Sequence, residues 1–464
     1  MKSVRIDNGT IVTATDTCVA DILVEGEKIQ AIGHKLDGRA DRVIDATGCL
    51  VFPGGIDAHT HLDLPFMGTS SSDDFETGTL AALHGGTTSI VDFAFQTPGK
   101  SLKEALKTWH EKAAHRAAGD YGFHVVVTDF NESSRGEIRE LIEKEGVTSF
   151  KTFMAYKGAL MIDDRQMIGL MNETKKWGGL VTVHAENGDL ADSLIQANRA
   201  AGNTAPRFHA LSRPEIVEAE ATGRAIDLAY AGGHPLYVVH MTCEASLNRV
   251  REATRRNQRV LVETCVQYLL LDDSVYERPG FEGAKWVMSP PIRKKKDQES
   301  LWNGIEQGLV HVVATDHCPF CMDQKAMGKS DFSKIPNGAP GIENRMELMY
   351  SEGVAKGRLS LPRFVELNCT APAKIFGLYP RKGTIAVGSD ADLVIFDPAV
   401  KHTLSVENQH MRCDYSAYEG WQVTGKVRTV LLRGTVAIDG GKAHVGKGFG
   451  QYLPRKPFRG VDAL

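Results

Sequence analysis

Four histidines and one aspartate stand at the ends of short apolar runs. His59 and His61 lie two apart in DAHTHLDLPF, His184 ends LVTVH, His240 ends LYVVH and Asp316 ends VHVVATD. Strand residues two apart face the same side, so His59 and His61 can both approach one ion. An HxH pair is a weak metal signal alone, and an aspartate can simply cap a helix. The five residues together predict a metal centre, for which zinc fits best and manganese, cobalt or iron would also fit.

A lysine accompanies this set. Lys151 lies in TSFKTFM, a further apolar run. Divalent cations repel an ammonium group, and burial near positive charge favours the neutral amine. A neutral amine can take up carbon dioxide and become a carbamate, which would bridge two ions about 3.5–4 Å apart. The alternative is a lysine at the edge of the core, paired with an acid. The residues alone do not decide between these two interpretations.

The apolar runs predict the elements that position these residues. Eight such runs occur, at 51–57, 87–92, 123–128, 148–154, 180–184, 236–240, 259–264 and 310–316. Helix-like stretches such as SLKEALKTWHEKAAHRAA separate most of them. This alternation predicts an α/β fold, a (β/α)8 TIM barrel with its active site at the carboxyl ends of the strands. A doubly wound open sheet is the alternative, but no GxGxxG follows the first strand.

The two chain ends have a different texture, with short β-like runs and glycine or Asn-Gly turns. We predict one smaller β-sandwich domain built from residues 1–52 and 376–448. The barrel would then be inserted at 53–375. Residues 449–464 would form a C-terminal tail, either packed on a neighbouring subunit or loosely held.

Composition sets limits on partners and location. The chain has 464 residues, of which 42% are hydrophobic and 24% charged, with a formal net charge of −4. This balance gives no indication of nucleic acid or an anionic membrane as partner. We expect a cytoplasmic protein, because no apolar run approaches a membrane span or a signal peptide. The scattered cysteines indicate reduced thiols. Cys318 and Cys321 are interpreted as two loop cysteines, since no second pair has zinc-site spacing.

Several motifs together resemble a known family. HTH, FKTFMAYKG, VHAEN, VVHMT and ATDHCP resemble the cyclic amidohydrolases, and within them the dihydropyrimidinase and hydantoinase group. PGGIDAHTHLDLPF, MSPPIR, IPNGAPGIENR and NCTAPAKIFGLYPRKGTIAVGSDADLVIFD are also similar to that group. The resemblance covers nearly the whole chain and implies a TIM barrel beside a β-sandwich, a binuclear zinc centre and a homotetramer. The implied ligands are His59, His61, carboxylated Lys151 (N6-carboxylysine), His184, His240 and Asp316.

The resemblance also implies roles in catalysis. A metal-bridged hydroxide would attack the ring carbonyl, and Asp316 could carry a proton from water to the departing nitrogen. Tyr156 is implied as the oxyanion donor, although it could be a packing aromatic. Ser289 and Asn337 would read the substrate's amide groups, although both could be turn residues.

The substrate's exocyclic substituent requires an apolar surface. Phe66, Phe153 and Leu160 are candidates for that wall, although Phe153 could equally belong to the core. The loop 64–75, LPFMGTSSSDDF, could act as a lid or be a static surface loop.

The predicted reaction is hydrolytic ring opening of 5,6-dihydropyrimidines or hydantoins, giving N-carbamoyl amino acids. Allantoinase is the second candidate. A dihydroorotase is disfavoured because that group typically has HxHxR, whereas Asp63 would repel a substrate carboxylate. A non-catalytic assembly protein on the same fold is disfavoured because all six candidate ligands are present.

Overall fold

The computed structural model describes residues 3–36, 39–458 and 460. The strands are β1 Ser3–Val12, β2 Thr17–Glu25, β3 Lys28–Gly33, β4 Arg42–Asp45, β5 Leu50–Pro53, β6 Gly55–Thr60, β7 Pro65–Phe66, β8 Thr69–Ser70, β9 Thr87–Phe95, β10 Asp120–Val126, β11 Ser149–Phe153, β12 Leu180–His184, β13 Leu236–Val238, β14 Leu261–Cys265, β15 Val312–Ala314, β16 Leu393–Thr403, β17 Gln422–Leu432, β18 Thr435–Asp439 and β19 Lys442–Ala443.

The α-helices are α1 Phe75–His84, α2 Leu102–Ala113, α3 Glu132–Glu143, α4 Asp164–Lys176, α5 Gly188–Ala200, α6 Arg207–Leu211, α7 Glu215–Gly232, α8 Glu244–Arg255, α9 Val266–Leu270, α10 Lys295–Glu306, α11 Met322–Lys325, α12 Arg345–Met349, α13 Leu361–Val365 and α14 Ala371–Ile375. Within the described residues, none of them is long and apolar enough to cross a membrane.

Among these residues, eight parallel strands form one sheet in the order β6-β9-β10-β11-β12-β13-β14-β15. Thr60 at the end of β6 also bridges His317 beyond β15, so the sheet nearly closes on itself. Both faces of β11 and β12 are buried, as in parallel sheets covered by helices. The eight predicted runs therefore correspond to the strands of a TIM barrel, and the predicted fold class is confirmed.

The helices between the strands are amphipathic and capped. Helix α2 buries Leu102, Ala105, Leu106 and Trp109, the spacing of one helical face. Its N-cap, Ser101, accepts hydrogen bonds from two backbone N–H groups of the first turn. Such helices cover the outside of the barrel and hold the strand ends in register.

A second sheet, mostly antiparallel, joins the two ends of the chain. Its order is β19-β18-β17-β16-β5-β1-β2-β3, with β4 beside β1. Strand β16 pairs with β5 across Val394 and Phe52, so late and early segments share one ladder. Residues from both segments, among them Ile22, Val51 and Ile395, pack in one cluster. The smaller β unit built from both chain ends is thus present, and its boundaries at 52, 376 and 448 stay predictions.

The described part of the C-terminal tail packs on its own barrel. Tyr452 pairs with Tyr121, Leu453 is fully buried, and Arg455 donates to Ser149 Oγ at 2.8 Å. The expectation of a loosely held tail is therefore wrong for this segment. The reason is that Leu453 packs in the core and Arg455 donates a hydrogen bond to Ser149, both at the amino end of the barrel strands.

Candidate active site

The candidate ligands lie together at the carboxyl ends of five barrel strands. His59 is near the end of β6 and His61 directly follows it. Lys151 lies in β11, and His184 ends β12. The remaining two, His240 and Asp316, each come two residues after a strand, β13 and β15. This edge of the barrel is where such enzymes place their active sites.

The ligand atoms form two close groups. Nε2 of His59 lies 3.2 Å from Oδ1 of Asp316, and Nε2 of His61 lies 3.0 Å from the same oxygen. Nδ1 of His184 lies 2.9 Å from Nε2 of His240. Ligand atoms of His59, His240 and Asp316 all lie within 4.8 Å of one another, so the two groups adjoin. These separations suit ligands that each lie about 2.0–2.1 Å from a shared zinc ion. The residues present therefore fit a metal centre.

Two buried carboxylates orient the imidazoles from behind. Glu263 Oε1 lies 2.6 Å from Nδ1 of His59, and Glu186 Oε2 lies 2.9 Å from Nε2 of His184. Each takes the outward nitrogen and leaves the other nitrogen facing the cluster, as metal-binding histidines require. Arg213 in turn holds Glu186, with Nη1 donating to Oε2 at 2.7 Å.

The sequence analysis missed Glu186 and Glu263, although a signal for both existed. Glu186 lies two residues after His184 in VHAEN, and Glu263 is the one acidic residue of the apolar run RVLVET. Glu186 thus follows a strand end, and Glu263 lies within a fully buried strand, β14. The period of two along a strand would have placed Glu186 on the face of His184.

Lys151 lies in the middle of this cluster without a partner. Its Nζ is buried, and it has no hydrogen-bond partner in the part of the chain that the structure covers. The rings of Phe93 and Phe153 lie 5.0 Å from it on two sides. Burial lowers the pKa of Lys151 to about 8. If Lys151 were an ordinary lysine at the edge of the core, an acidic side chain should be hydrogen-bonded to it, and none is among the described residues. The lowered pKa makes the neutral amine easy to form, and the neutral amine is the form that carbon dioxide can carboxylate.

The protonation states also suit metal binding. Burial lowers the pKa values of His59, His184 and His240 and so favours the neutral imidazole, which keeps a free lone pair. Burial opposes ionisation of Asp316, but His59 and His61 outweigh it and lower the pKa of this carboxyl. Neutral imidazoles and an ionised carboxylate are the forms that bind divalent ions.

Three residues at the same edge have a strained backbone. Tyr156, His240 and Asp316 have φ values of 62°, 37° and 52°. Residues other than glycine rarely adopt positive φ, and such conformations cluster at functional sites. In each case the strained residue follows a barrel strand and turns its side chain towards the cluster.

The cluster forms the floor of a narrow cavity of about 50 Å³. Its other lining residues include all six predicted substrate contacts, namely Phe66, Phe153, Tyr156, Leu160, Ser289 and Asn337. Asn337 Nδ2 lies 3.1 Å from Ser289 Oγ and 3.5 Å from the Tyr156 hydroxyl, so the three polar groups meet. Phe66 and Phe153 pack against Tyr156 at centroid distances of 5.7 and 5.9 Å. The cavity thus has one polar and one apolar side.

The loop 64–75 borders this cavity. It forms the short hairpin β7–β8, and Gln324 Nε2 donates to Thr69 Oγ1 and to the Ser70 carbonyl, each at 2.7 Å. A larger outer cavity of about 450 Å³ begins beyond Phe66. Whether the hairpin moves as a lid stays a prediction.

Asp63 is not among the described residues that line the inner or the outer cavity. Lys112 Nζ lies 3.6 Å from its carboxylate and 2.5 Å from its carbonyl oxygen. No arginine lines the inner cavity among the described residues. A substrate carboxylate would therefore find no guanidinium partner at this point.

Known proteins are similar to this chain in sequence and in fold. Residues 50–437 match the Amidohydrolase family. The chain is 50% identical to a D-hydantoinase from Geobacillus stearothermophilus over 460 residues, covering 99% of this chain and 98% of that protein. It is 50% identical to a D-hydantoinase from Ralstonia pickettii, covering 98% and 99%. The crystal structure of dihydropyrimidinase from Brevibacillus agri NCHU1002 matches with a TM-score of 0.98 and 50% identity, covering 99% of this chain and 100% of that chain.

The predicted resemblance is confirmed by sequence and by structure over almost the full length of the chain. The chain belongs to the amidohydrolase family, and within it to the group of hydantoinases and dihydropyrimidinases.

Proposed function

We propose that the protein hydrolyses the cyclic amide bond of hydantoins and 5,6-dihydropyrimidines and releases N-carbamoyl amino acids. The observation that carries this proposal is the convergence of four imidazoles, Asp316 and the unpartnered Lys151 at one end of the barrel. The relatives named D-hydantoinase and dihydropyrimidinase support the same reaction. Because those curated relatives are D-hydantoinases, we propose preference for the D-enantiomer of 5-substituted hydantoins.

The proposed cofactor is a pair of divalent ions, with zinc best suited to imidazole and carboxylate ligands. The amidohydrolase family depends on a binuclear metal centre, and the His/Asp cluster is suited to one. Six side chains would hold the pair, with Lys151 as a carbamate: His59, His61, Lys151, His184, His240 and Asp316. When bound, the ions would lower the pKa of a water molecule towards neutrality and polarise the substrate carbonyl.

The protein's own groups would carry the proton and the developing charge. The ionised Asp316 carboxylate would accept a proton from the attacking water and return it to the departing ring nitrogen. The Tyr156 hydroxyl would donate a hydrogen bond to the oxyanion that forms at the carbonyl carbon. Burial raises the pKa of Tyr156, which keeps this hydroxyl protonated as a donor. The nitrogen stays tethered to the product, so one hydrolytic step opens the ring.

The two sides of the cavity would orient the substrate. Ser289 and Asn337 would contact the ring's amide groups, and the apolar residues Phe66, Phe153 and Leu160 would face the substituent. The outer cavity beyond Phe66 gives a large substituent room to extend. The absence of an arginine from the described inner lining supports rejection of dihydroorotate.

Assembly and location remain predictions. We propose a homotetramer on the family resemblance alone, and light scattering of the purified protein would measure its mass. The cytoplasmic location rests on the sequence analysis.

A parallel rate assay tests the proposed function. The zinc-loaded protein is given hydantoin, both enantiomers of a 5-phenyl hydantoin, dihydrouracil, allantoin and dihydroorotate at equal concentration. We expect turnover of hydantoins and dihydrouracil, faster reaction of the D-enantiomer, and none of dihydroorotate. The fastest turnover on dihydroorotate or allantoin would overturn the substrate proposal. No turnover of any substrate by protein shown to hold two ions would overturn the enzymatic proposal.

A further inference from the structure

A second cluster of metal-binding groups lies outside the candidate active site. Sγ of Cys321, Sγ of Cys413 and a carboxylate oxygen of Asp414 all lie within 4.8 Å of one another. Among the described residues, this is the only group besides the His/Asp cluster in which three histidine, cysteine or acidic side chains come that close. The sequence analysis considered Cys321 only with Cys318, because Cys413 is distant along the chain.

The fold brings two separate segments together here. Cys321 follows β15 and immediately precedes helix α11, whereas Cys413 and Asp414 lie in the connection between β16 and β17. The Asp414 carboxylate accepts a hydrogen bond from the backbone N–H of Met322 at 3.0 Å. Cys413 is buried, Cys321 is partly buried and Asp414 is exposed. The cluster therefore has a fixed inner side and a side open to solvent, through which an ion could enter.

The chemistry of the three groups selects a soft cation. Thiolates bind zinc and heavier ions with a filled d shell more strongly than they bind magnesium or calcium. Each thiol has a weak acceptor nearby, the carbonyl oxygen of Arg412 for Cys321 at 3.8 Å and that of Phe320 for Cys413 at 4.0 Å. A hydrogen bond from Cys413 lowers the pKa of Cys321 to about 7. The Cys321 thiolate is thus accessible near neutral pH. The same contact and burial raise the pKa of Cys413, so a bound ion would have to displace the proton of that thiol.

We propose that Cys321, Cys413 and Asp414 form a separate binding site for a soft divalent cation such as zinc or cadmium. Two sulfur ligands and one oxygen ligand would come from the protein, and water would complete a four-coordinate shell. The proposal does not depend on the active-site chemistry, because the two clusters share no residue.

An ion at this site would join the β16–β17 connection to a helix that supports the substrate loops. Helix α11 ends at Lys325, whose Nζ donates to the carbonyl oxygens of Val287, Pro336 and Gly338 at 3.0, 2.7 and 2.7 Å. These positions flank the candidate substrate contacts at 289 and 337. We expect bound metal to raise the melting temperature, because an ion that binds only the folded chain stabilises it.

A cadmium titration tests the proposal. The protein is first reduced and then loaded with zinc, so that the His/Asp cluster is filled before cadmium is added. Cadmium, the softer ion, then displaces any zinc that the two thiolates hold. The candidate active-site ligands include no sulfur, so ultraviolet charge-transfer absorption between thiolate and cadmium reports on cysteine sites alone. We expect this band to saturate at one cadmium per chain, and to be lost in Cys321→Ser and in Cys413→Ser. Cys18→Ser, which changes an exposed cysteine elsewhere, should keep the full band.

Asp414→Asn provides a second variant that leaves both thiols unchanged. Loss of an outer partner of a metal ligand commonly weakens binding about 10–100-fold, so loss of a direct ligand should raise the cadmium dissociation constant by at least about tenfold. A wild-type protein without the band, or Cys413→Ser with the full band, would overturn the proposal. Unchanged cadmium affinity in Asp414→Asn would remove the carboxylate from the site.

Discussion

At the scale of single residues, Glu186 and Glu263 determine which imidazole nitrogen faces the cavity. An imidazole offers two nitrogens, and only the one not bound to a carboxylate is free for an ion. Glu186 is itself fixed by Arg213, so the orientation of His184 depends on a chain of charged hydrogen bonds. The candidate centre is therefore built from two layers of residues.

Glu186→Gln should weaken metal binding while leaving the candidate ligands in place. His184 and Arg213 both donate to Oε2 of Glu186, and a neutral amide oxygen accepts such bonds more weakly than a carboxylate, so we expect an affinity loss of about 10–100-fold. Competition with a chromophoric chelator measures it. Glu220→Gln is the control, because Glu220 contacts Asn187 and Arg224 and none of the candidate ligands. Equal affinity in wild type and Glu186→Gln would show that this carboxylate does not support the centre.

Lys151→Ala should lose both activity and bound metal, because the proposed bridging carbamate disappears. A short carboxylic acid such as acetate or propionate should partly restore both by supplying the missing oxygens. Metal analysis and hydantoin turnover, with and without the acid, check this. Lys157→Ala is the control, since Lys157 is an exposed lysine paired with Asp189. Full activity in Lys151→Ala would remove the bridge from the mechanism.

At the scale of elements, the substrate loops are held by backbone contacts to one buried cation. Lys325 is fully buried, and it joins the segments before 289 and on both sides of 337. Burial lowers the pKa of Lys325 to about 7, which shows how strongly the surroundings disfavour its charge. Burying a lysine lowers the stability of the fold. The hydrogen bonds from Lys325 to three carbonyl oxygens offset that loss and hold the loops in place.

Lys325→Met should loosen the substrate loops without touching the candidate metal ligands. Each buried carbonyl oxygen left without a donor costs about 1–3 kcal/mol, so the melting temperature should fall. We expect KM for hydantoin to rise while metal content stays at the wild-type value. Lys329→Met, at an exposed position beyond the same helix, should match the wild type. Unchanged KM and melting temperature in Lys325→Met would contradict this role.

The sequence predicted elements better than contacts between distant segments. The barrel strands were recognisable because burial on both faces gives continuous apolar runs, and the histidines at their ends indicated the site. The contacts of Lys325 were not predictable, because its three acceptors are backbone carbonyl oxygens, which every residue has. Cys413 was missed for a related reason: its approach to Cys321 depends on how the β16–β17 connection folds back on the barrel.

At the scale of the whole molecule, segments from both ends of the chain pack together and against the barrel. Strands β1 and β5 share a sheet with β16 and β17, and the tail covers the amino end of the barrel strands. The free energy of unfolding should therefore depend on residues far from the site.

Leu453→Ala should lower stability without changing turnover at moderate temperature. Leu453 is fully buried against the barrel, and removing such a side chain typically costs about 2–5 kcal/mol. Denaturant or thermal unfolding measures the loss. Leu211→Ala, at a position 59% exposed, is the matched control and should have little effect. If Leu453→Ala unfolds at the wild-type midpoint, the tail does not contribute as the packing implies.

His311→Gln should change how stability depends on pH. Burial, together with nearby Arg363, lowers the pKa of His311 to about 4 from an ordinary value of 6.5. Between these two pH values, His311 binds a proton in the unfolded chain but not in the folded chain. The wild type therefore loses stability as the pH falls from 6.5 to about 4. Glutamine does not titrate and can still accept from the Val262 N–H, as His311 Nδ1 does. Melting temperatures across this range should fall more steeply for the wild type, and parallel curves would contradict the lowered pKa.

The most direct test of the central claim is an anomalous diffraction map of crystals of the zinc-loaded protein. We predict two zinc peaks about 3.5–4 Å apart at the carboxyl end of the barrel, with density for a carboxylated Lys151 between them. One peak should lie beside His59, His61 and Asp316, and the other beside His184 and His240. A map with a single peak, or with no zinc between these side chains, would contradict the two-ion centre.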